Sequence, residues 1–243
     1  MFNIDKELFN KRKKRLEEQK EKIPFQTLMK WLDARQLPLK IDDFAKNNKP
    51  NLIIDLKVTQ GENGDPSLLL QNLIENGIKI FSASGIEEWD NGYGDYISYL
   101  KRGRLPVKNP IIRRDILIEN YQIVDSKLIV ADGITMFPEF LTSKEIDNLF
   151  NDSINLDFHA LPVLKSKKDI KKIEKFEFKT VAISYNILKK LGIKPSDYEN
   201  IIIYDLFKTE DVFTLFNQGY KFFWLDWDTF DKDRESWYKL TGK

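Results

Sequence analysis

Two periods of apolar spacing divide this chain. Between residues 5 and 22, charges of both signs are dense, and Leu8, Phe9 and Leu16 form a thin apolar stripe. That spacing predicts an exposed amphipathic helix lying over another part of the molecule. Pro24 ends it, and Phe25–Leu37 predicts a second helix with Phe25, Leu28, Trp31 and Leu32 on one side. From residue 52 a rhythm sets in. LIIDLK (52–57) is a short apolar run, followed by a polar loop over 59–66 and a helix over 67–75 capped by Gly77. IKIFSAS (78–84) reads as the next strand; a loop over 85–94 and a helix ending near Arg102 lead to PIIRRDILIENYQI (110–123). Further strands are expected over 132–141, 157–164, 180–184, 200–206 and 221–227. Helices fall between them over 142–151, 167–175, 187–191 and 209–217, the first capped by Thr142 or Ser143. Residues 231–243 predict a last helix.

Eight short strands alternating with helices, each apolar enough to be buried on both faces, predict an α/β fold of the closed (β/α)8 barrel type rather than an open doubly wound sheet. The first two helices are then extra. Residues 1–50 are expected to form a helical extension packed on a barrel of residues 51–243. In such barrels functional groups collect at the C-terminal ends of the strands. That rule selects Asp55 and Lys57, Ser82 and Ser84, Arg113 to Asp115, Glu139, Leu164 to Ser166, Ser184 to Asn186, Asp205, Asp226 and Asp228.

Charge and composition remove several function classes. Lysine and arginine total 39 against 38 acidic residues, so a generic phosphate-backbone binder is disfavoured. The basic cluster Lys11–Arg15 is followed at once by Glu17, Glu18 and Glu21, which marks a solvated helix face rather than a nucleic-acid site. The absence of cysteine excludes disulfides and thiolate chemistry and fits a reducing compartment. No run approaches the roughly 18 apolar residues of a membrane span, so a soluble, cytoplasmic protein is expected. A single histidine, His159, expected near the middle of a strand, cannot make a His-rich metal site and reads as a core or rim residue. Asp205, Asp226 and Asp228 read as solvated rim carboxylates before a divalent-cation site. No cofactor or metal is expected.

The strand ends carry a resemblance. LIIDLKVTQGENG resembles the first-strand motif of the indole-3-glycerol phosphate synthase family, I-A-E-x-K-x-x-S-P-S-x-G. PIIRRDILIENYQI is similar to its third-strand motif, P-V-L-x-K-D-F-I-x-D-x-Y-Q-I. ADGITMFPEFLTSKEI and KTEDVFTLFNQGYKFFWLD echo its later blocks. The resemblance implies a barrel with two N-terminal helices that closes the ring of a carboxyphenylamino-deoxyribulose phosphate with loss of carbon dioxide and water. It also implies a lysine general acid, glutamates, an asparagine and a phosphate site at the last two strands.

Position by position, most of that set has changed. The first-strand glutamate corresponds to Asp55, its lysine is kept as Lys57, and the phosphate-holding loop serine corresponds to Gln60. The third-strand lysine becomes Arg114, whose pKa above about 12 suits anion binding and not proton donation. The fifth-strand glutamate has no counterpart among Leu161, Pro162 and Val163, and the sixth-strand N-x-R pair becomes Ser184 and Asn186. The Ser-Gly and Gly-Glu-Ser phosphate motifs read Tyr204-Asp205 and Asp226-Trp227-Asp228, where bulk and carboxylates oppose a phosphate dianion. The sequence therefore implies a barrel that has kept the scaffold and lost the reaction, serving as a binding or structural subunit. A protein partner or a second copy, and a small anionic ligand at the mouth, are the expected partners; nucleic acid and membrane are not. Asp55, Lys57 and Arg114 read as vestigial catalytic positions, as an internal ion-pair cluster before an anion site. The competing expectation is an active or divergent synthase, or new chemistry on those three residues. Whether Arg114 and Trp227 plug the mouth discriminates between them.

Overall fold

The computed structural model describes residues 4–32, 37–45, 48–56, 66–84, 97, 100–101, 108–206 and 208–242. Eight strands, β1 (Asn51–Leu56), β2 (Ile80–Ser84), β3 (Ile111–Arg114), β4 (Gly133–Met136), β5 (His159–Leu164), β6 (Thr180–Ser184), β7 (Asn200–Tyr204) and β8 (Phe222–Asp226), close into a barrel in chain order. All pairings are parallel, and β8 closes on β1 through Ile53↔Trp224 and Asp55↔Asp226. The two-residue period sorts each strand. Ile53, Ile80, Ile112, Leu161, Ile202 and Trp224 pack together inside, while Ile54, Phe81, Ile111, Ile134, Ile203 and Phe223 face the helices.

Helix α1 (Lys6–Lys22) starts at Asp5, whose carboxylate accepts from the Leu8 N–H at 2.8 Å. Helix α2 spans only Phe25–Trp31, shorter than the expected 25–37, because Leu32 turns into extended backbone (ψ 115°). Leu28 alone of its residues is fully buried, against Leu16, Tyr121 and Val124. Trp31 was expected on the same side but lies on the flank of that stripe, about 60° beyond Leu28, and is 59% exposed.

Thr142, rather than Ser143, caps the helix Ser143–Asn155: its hydroxyl accepts from the Glu145 N–H, and the Glu145 carboxylate accepts from the Thr142 N–H at 2.7 Å. His159 opens β5 instead of sitting mid-strand, since Asp157 turns the chain through left-handed backbone (φ 47°) before it joins the sheet. No helix among the described residues is long and apolar enough to cross a membrane. Lys57, Gln60, the loop over 85–94 and the helix end near Arg102 lie outside the described residues.

Candidate functional site

The three charged residues after Ile112 separate onto different faces. Arg113 points outward, where its guanidinium donates to Asp125 at 2.6 Å and Ser126 at 3.1 Å, both on the helix Asn120–Leu128. Asp115 accepts two bonds from Arg12 of α1, Nε at 3.0 Å and Nη2 at 2.9 Å, and a third from the Ile116 N–H at 2.7 Å. Arg113 approaches the same carboxylate at 3.1 Å. The Arg12 and Asp115 side chains are completely buried. Burial alone would raise the Asp115 carboxyl; Arg12 and Arg113 outweigh it and hold the group below its ordinary range. Arg113 and Asp115, expected at the functional rim, instead tie α1 to the barrel.

Arg114 points into the barrel, and its Nε lies 2.8 Å from Asp55 Oδ2. The other Asp55 oxygen accepts from the Ser82 hydroxyl at 2.7 Å. The same hydroxyl oxygen accepts from the Trp224 indole N–H at 2.7 Å. Four adjacent strands, β8, β1, β2 and β3, thus contribute one chain of contacts, Trp224–Ser82–Asp55–Arg114, with every member buried. Trp224 was not among the candidate site residues. The sequence places it in an aromatic run, Phe222, Phe223, Trp224 and Trp227, that alternates between the barrel interior and the helix-facing layer, and its position two residues before Asp226 puts it on the inward face. Trp227, the other side chain that could have plugged the mouth, packs against Phe230, with the Arg234 guanidinium over its ring.

At the ends of β6, β7 and β8 the groups are mostly acidic. Ser184 is buried, stands opposite Tyr204 in the sheet, and hydrogen-bonds Asp205. Asn186 is exposed in the first turn of the following helix, Tyr185–Leu191. Tyr204 is buried with Ile4 and Trp224, and burial pushes its phenol well above the ordinary range, so it stays neutral. Burial, with Asp226 nearby, also raises the Asp205 carboxyl. Asp226 caps the turn of helix Trp227–Asp231, accepting from the Thr229 N–H at 2.8 Å and its hydroxyl at 3.0 Å. Asp228 is exposed. Lys165, just past β5, donates to Glu139 at 2.6 Å and to the Ile4 carbonyl at 3.2 Å, and lies over the Phe137 ring. Among the described residues no group of three or more His, Asp or Glu is arranged to hold a metal ion.

Comparison with known proteins agrees with this architecture. The model of the family described as indole-3-glycerol phosphate synthase matches residues 5–213. The chain is 26% identical over 176 residues to the indole-3-glycerol phosphate synthase of Aliarcobacter butzleri, covering 68% of this chain and 66% of that one. It is 24% identical over 234 residues to the Carboxydothermus hydrogenoformans enzyme of the same name, covering 86% and 88%. Among solved structures, a chain of the tryptophan synthase complex from Pyrococcus furiosus superposes with a TM-score of 0.55 at 15% identity, over 80% of this chain and 96% of that one. Orotidine 5'-monophosphate decarboxylase from Sulfolobus solfataricus gives 0.55 at 13% identity, over 73% and 88%. These two likenesses concern the barrel fold alone. The family match spans both N-terminal helices and seven of the eight strands, and the chain belongs to the indole-3-glycerol phosphate synthase family.

Proposed function

We propose that this chain is a catalytically degenerate member of its family, a barrel that serves as a binding or structural subunit, with a protein partner or a second copy of itself. The observation that carries the reading is the Asp55–Arg114 ion pair, closed off by Ser82 and Trp224. These are the positions where the family resemblance implies a glutamate and a proton-donating lysine. An arginine held by a buried carboxylate has neither a proton to give at neutral pH nor a free carboxylate to cooperate with. A positioned general acid contributes roughly 10²–10⁴-fold, and a phosphate grip adds the substrate's orientation. Replacing both leaves little of the rate enhancement.

The test is direct. The purified full chain is mixed with carboxyphenylamino-deoxyribulose phosphate, and the indole product is followed by its fluorescence. No product above the uncatalysed background is expected, either from the natural chain or from the Asp55→Glu, Arg114→Lys double variant. The double variant still lacks the fifth-strand carboxylate and the phosphate motifs. Turnover by the natural chain that disappears in Asp55→Ala would refute the reading and make the protein a divergent carboxy-lyase.

A further inference from the structure

A cavity of about 430 Å³ opens at the other end of the barrel, beneath the N-terminal ends of the strands. That volume falls within the roughly 300–1,000 Å³ of small-molecule sites. Its floor reaches the barrel interior at Ile112, Leu161 and Ile202, and its side wall carries Phe150, Phe158 and Phe178. Phe150 and Phe178 meet edge to face at 4.8 Å, so the wall is a packed aromatic surface.

A single turn, Ile41–Phe44, lies against the opening and is pinned at two points. The Leu39 N–H donates to Asp132 at 2.8 Å, and Asn200 donates to Asp42 at 3.1 Å. The charges around this apolar pocket are predominantly negative: Asp42, Asp132, Asp157, Glu177 and Glu199 line it, against Lys40 and Lys179. Asp132 is neutralised by Lys101 at 2.6 Å, and Glu199 is paired with Lys179 at 3.5 Å. Lys127, whose ammonium donates to the Asp157 carbonyl at 3.5 Å, offsets Asp157, which leaves Asp42 and Glu177 against Lys40. His159 also lines the cavity and is exposed there, while partial desolvation lowers its pKa from the ordinary 6.5. Aromatic and aliphatic walls under a rim of surplus carboxylate are complementary to an apolar body carrying a positive charge.

We propose that this lower cavity binds a small organic cation, an amine carried on an aromatic or aliphatic body. The site lies at the opposite end of the barrel from the Asp55–Arg114 pair, so it stands or falls independently of the reading given to the mouth.

His159 is the only histidine of the chain, so its imidazole C–H signals in a proton NMR spectrum need no assignment by mutation. Titrating 2-phenylethylamine into the full chain at constant pH should shift those signals saturably. The uncharged 2-phenylethanol and the anionic phenylacetate, of the same size, should bind at least about tenfold more weakly. The Asp42→Asn, Glu177→Gln double variant changes two exposed groups and should keep its melting temperature while losing affinity by about five- to tenfold. An unmoved His159 signal at saturating amine would overturn the proposal. So would equal binding of all three probes, or amine binding indifferent to the double substitution.

Discussion

Arg12→Met tests how α1 is held to the barrel. Methionine retains much of the arginine stem's volume and deletes the guanidinium, removing both bonds to Asp115 and the one to Gln19 at 2.9 Å. Because both partners are completely buried, no water replaces the lost donor. Breaking one side of a buried pair costs about 3–5 kcal/mol. Asp115 keeps Arg113 and the Ile116 N–H, so the lower end, about 3 kcal/mol, is expected. For a chain of 243 residues, an unfolding entropy near 2.1 cal/mol/K per residue converts that loss to a fall of about 6 °C in melting temperature. Calorimetry measures it directly. Asp115→Asn, made alone and with Arg12→Met, closes a double-mutant cycle whose coupling should be about 2 kcal/mol. A melting shift below about 1 °C, or a coupling near zero, would mean that Arg12 finds solvent or another partner at no cost. The clamp argument would then be wrong.

Trp224→Phe keeps a ring inside the barrel but removes the indole donor to Ser82 and part of the ring volume. A loss of about 1–2 kcal/mol in urea unfolding is expected, and no loss would show that the Ser82–Asp55–Arg114 contacts do not depend on it. The stability should also fall toward acid in two windows. His159 sits below its ordinary 6.5 in the folded chain, so the unfolded chain takes up the proton first. Its contribution is complete above pH 6.5 and declines beneath it, and His159→Gln should flatten that limb. Asp115 is likewise depressed from 3.8, so its contribution is present above that pH and is lost as pH falls further, through its folded value. Stability rising between pH 7 and pH 5.5 in the natural chain alone, and not in His159→Gln, would contradict the sign assigned to His159.

The barrel was legible because each of its signals is local. An apolar run of about five residues, a turn and a helical stripe can be read without knowing what they pack against, and eight repetitions leave few closed arrangements. The opposite orientations of Arg113 and Arg114 follow from the strand period once β3 is recognised. The partner of Asp115 does not, because Arg12 lies 103 residues away on a helix whose dense charges read as a solvated face. One of those charges is in fact fully buried. Helix α2 was overextended because nothing in Phe25–Leu37 marks the departure at Leu32. The lower cavity was invisible for a different reason. Its lining comes from the beginnings of five strands and the turns before them, and no short stretch carries more than a few of its residues.

At the mouth, backbone and side chain of Asp205 point in different directions. Asp205 stands where the family resemblance implies the glycine of a Ser-Gly pair, and its backbone keeps a left-handed φ of 59°. Glycine adopts that conformation at no steric cost, and aspartate tolerates it better than most residues. The backbone here is one a glycine would adopt freely, while the side chain adds a carboxyl group. Asp226 acts in the same direction: it accepts from the Thr229 N–H, one of the free amides at a helix start that suit an anion. An arriving phosphate would have to displace that carboxylate and then share the space with Asp205, which burial and Asp226 already make reluctant to ionise. Arg114 offers no compensation while Asp55 holds it. Restoring a lysine and a glutamate at β1 and β3 therefore leaves the electrostatics at β7 and β8 untouched. For that reason the double variant is expected to remain silent with the phosphorylated substrate.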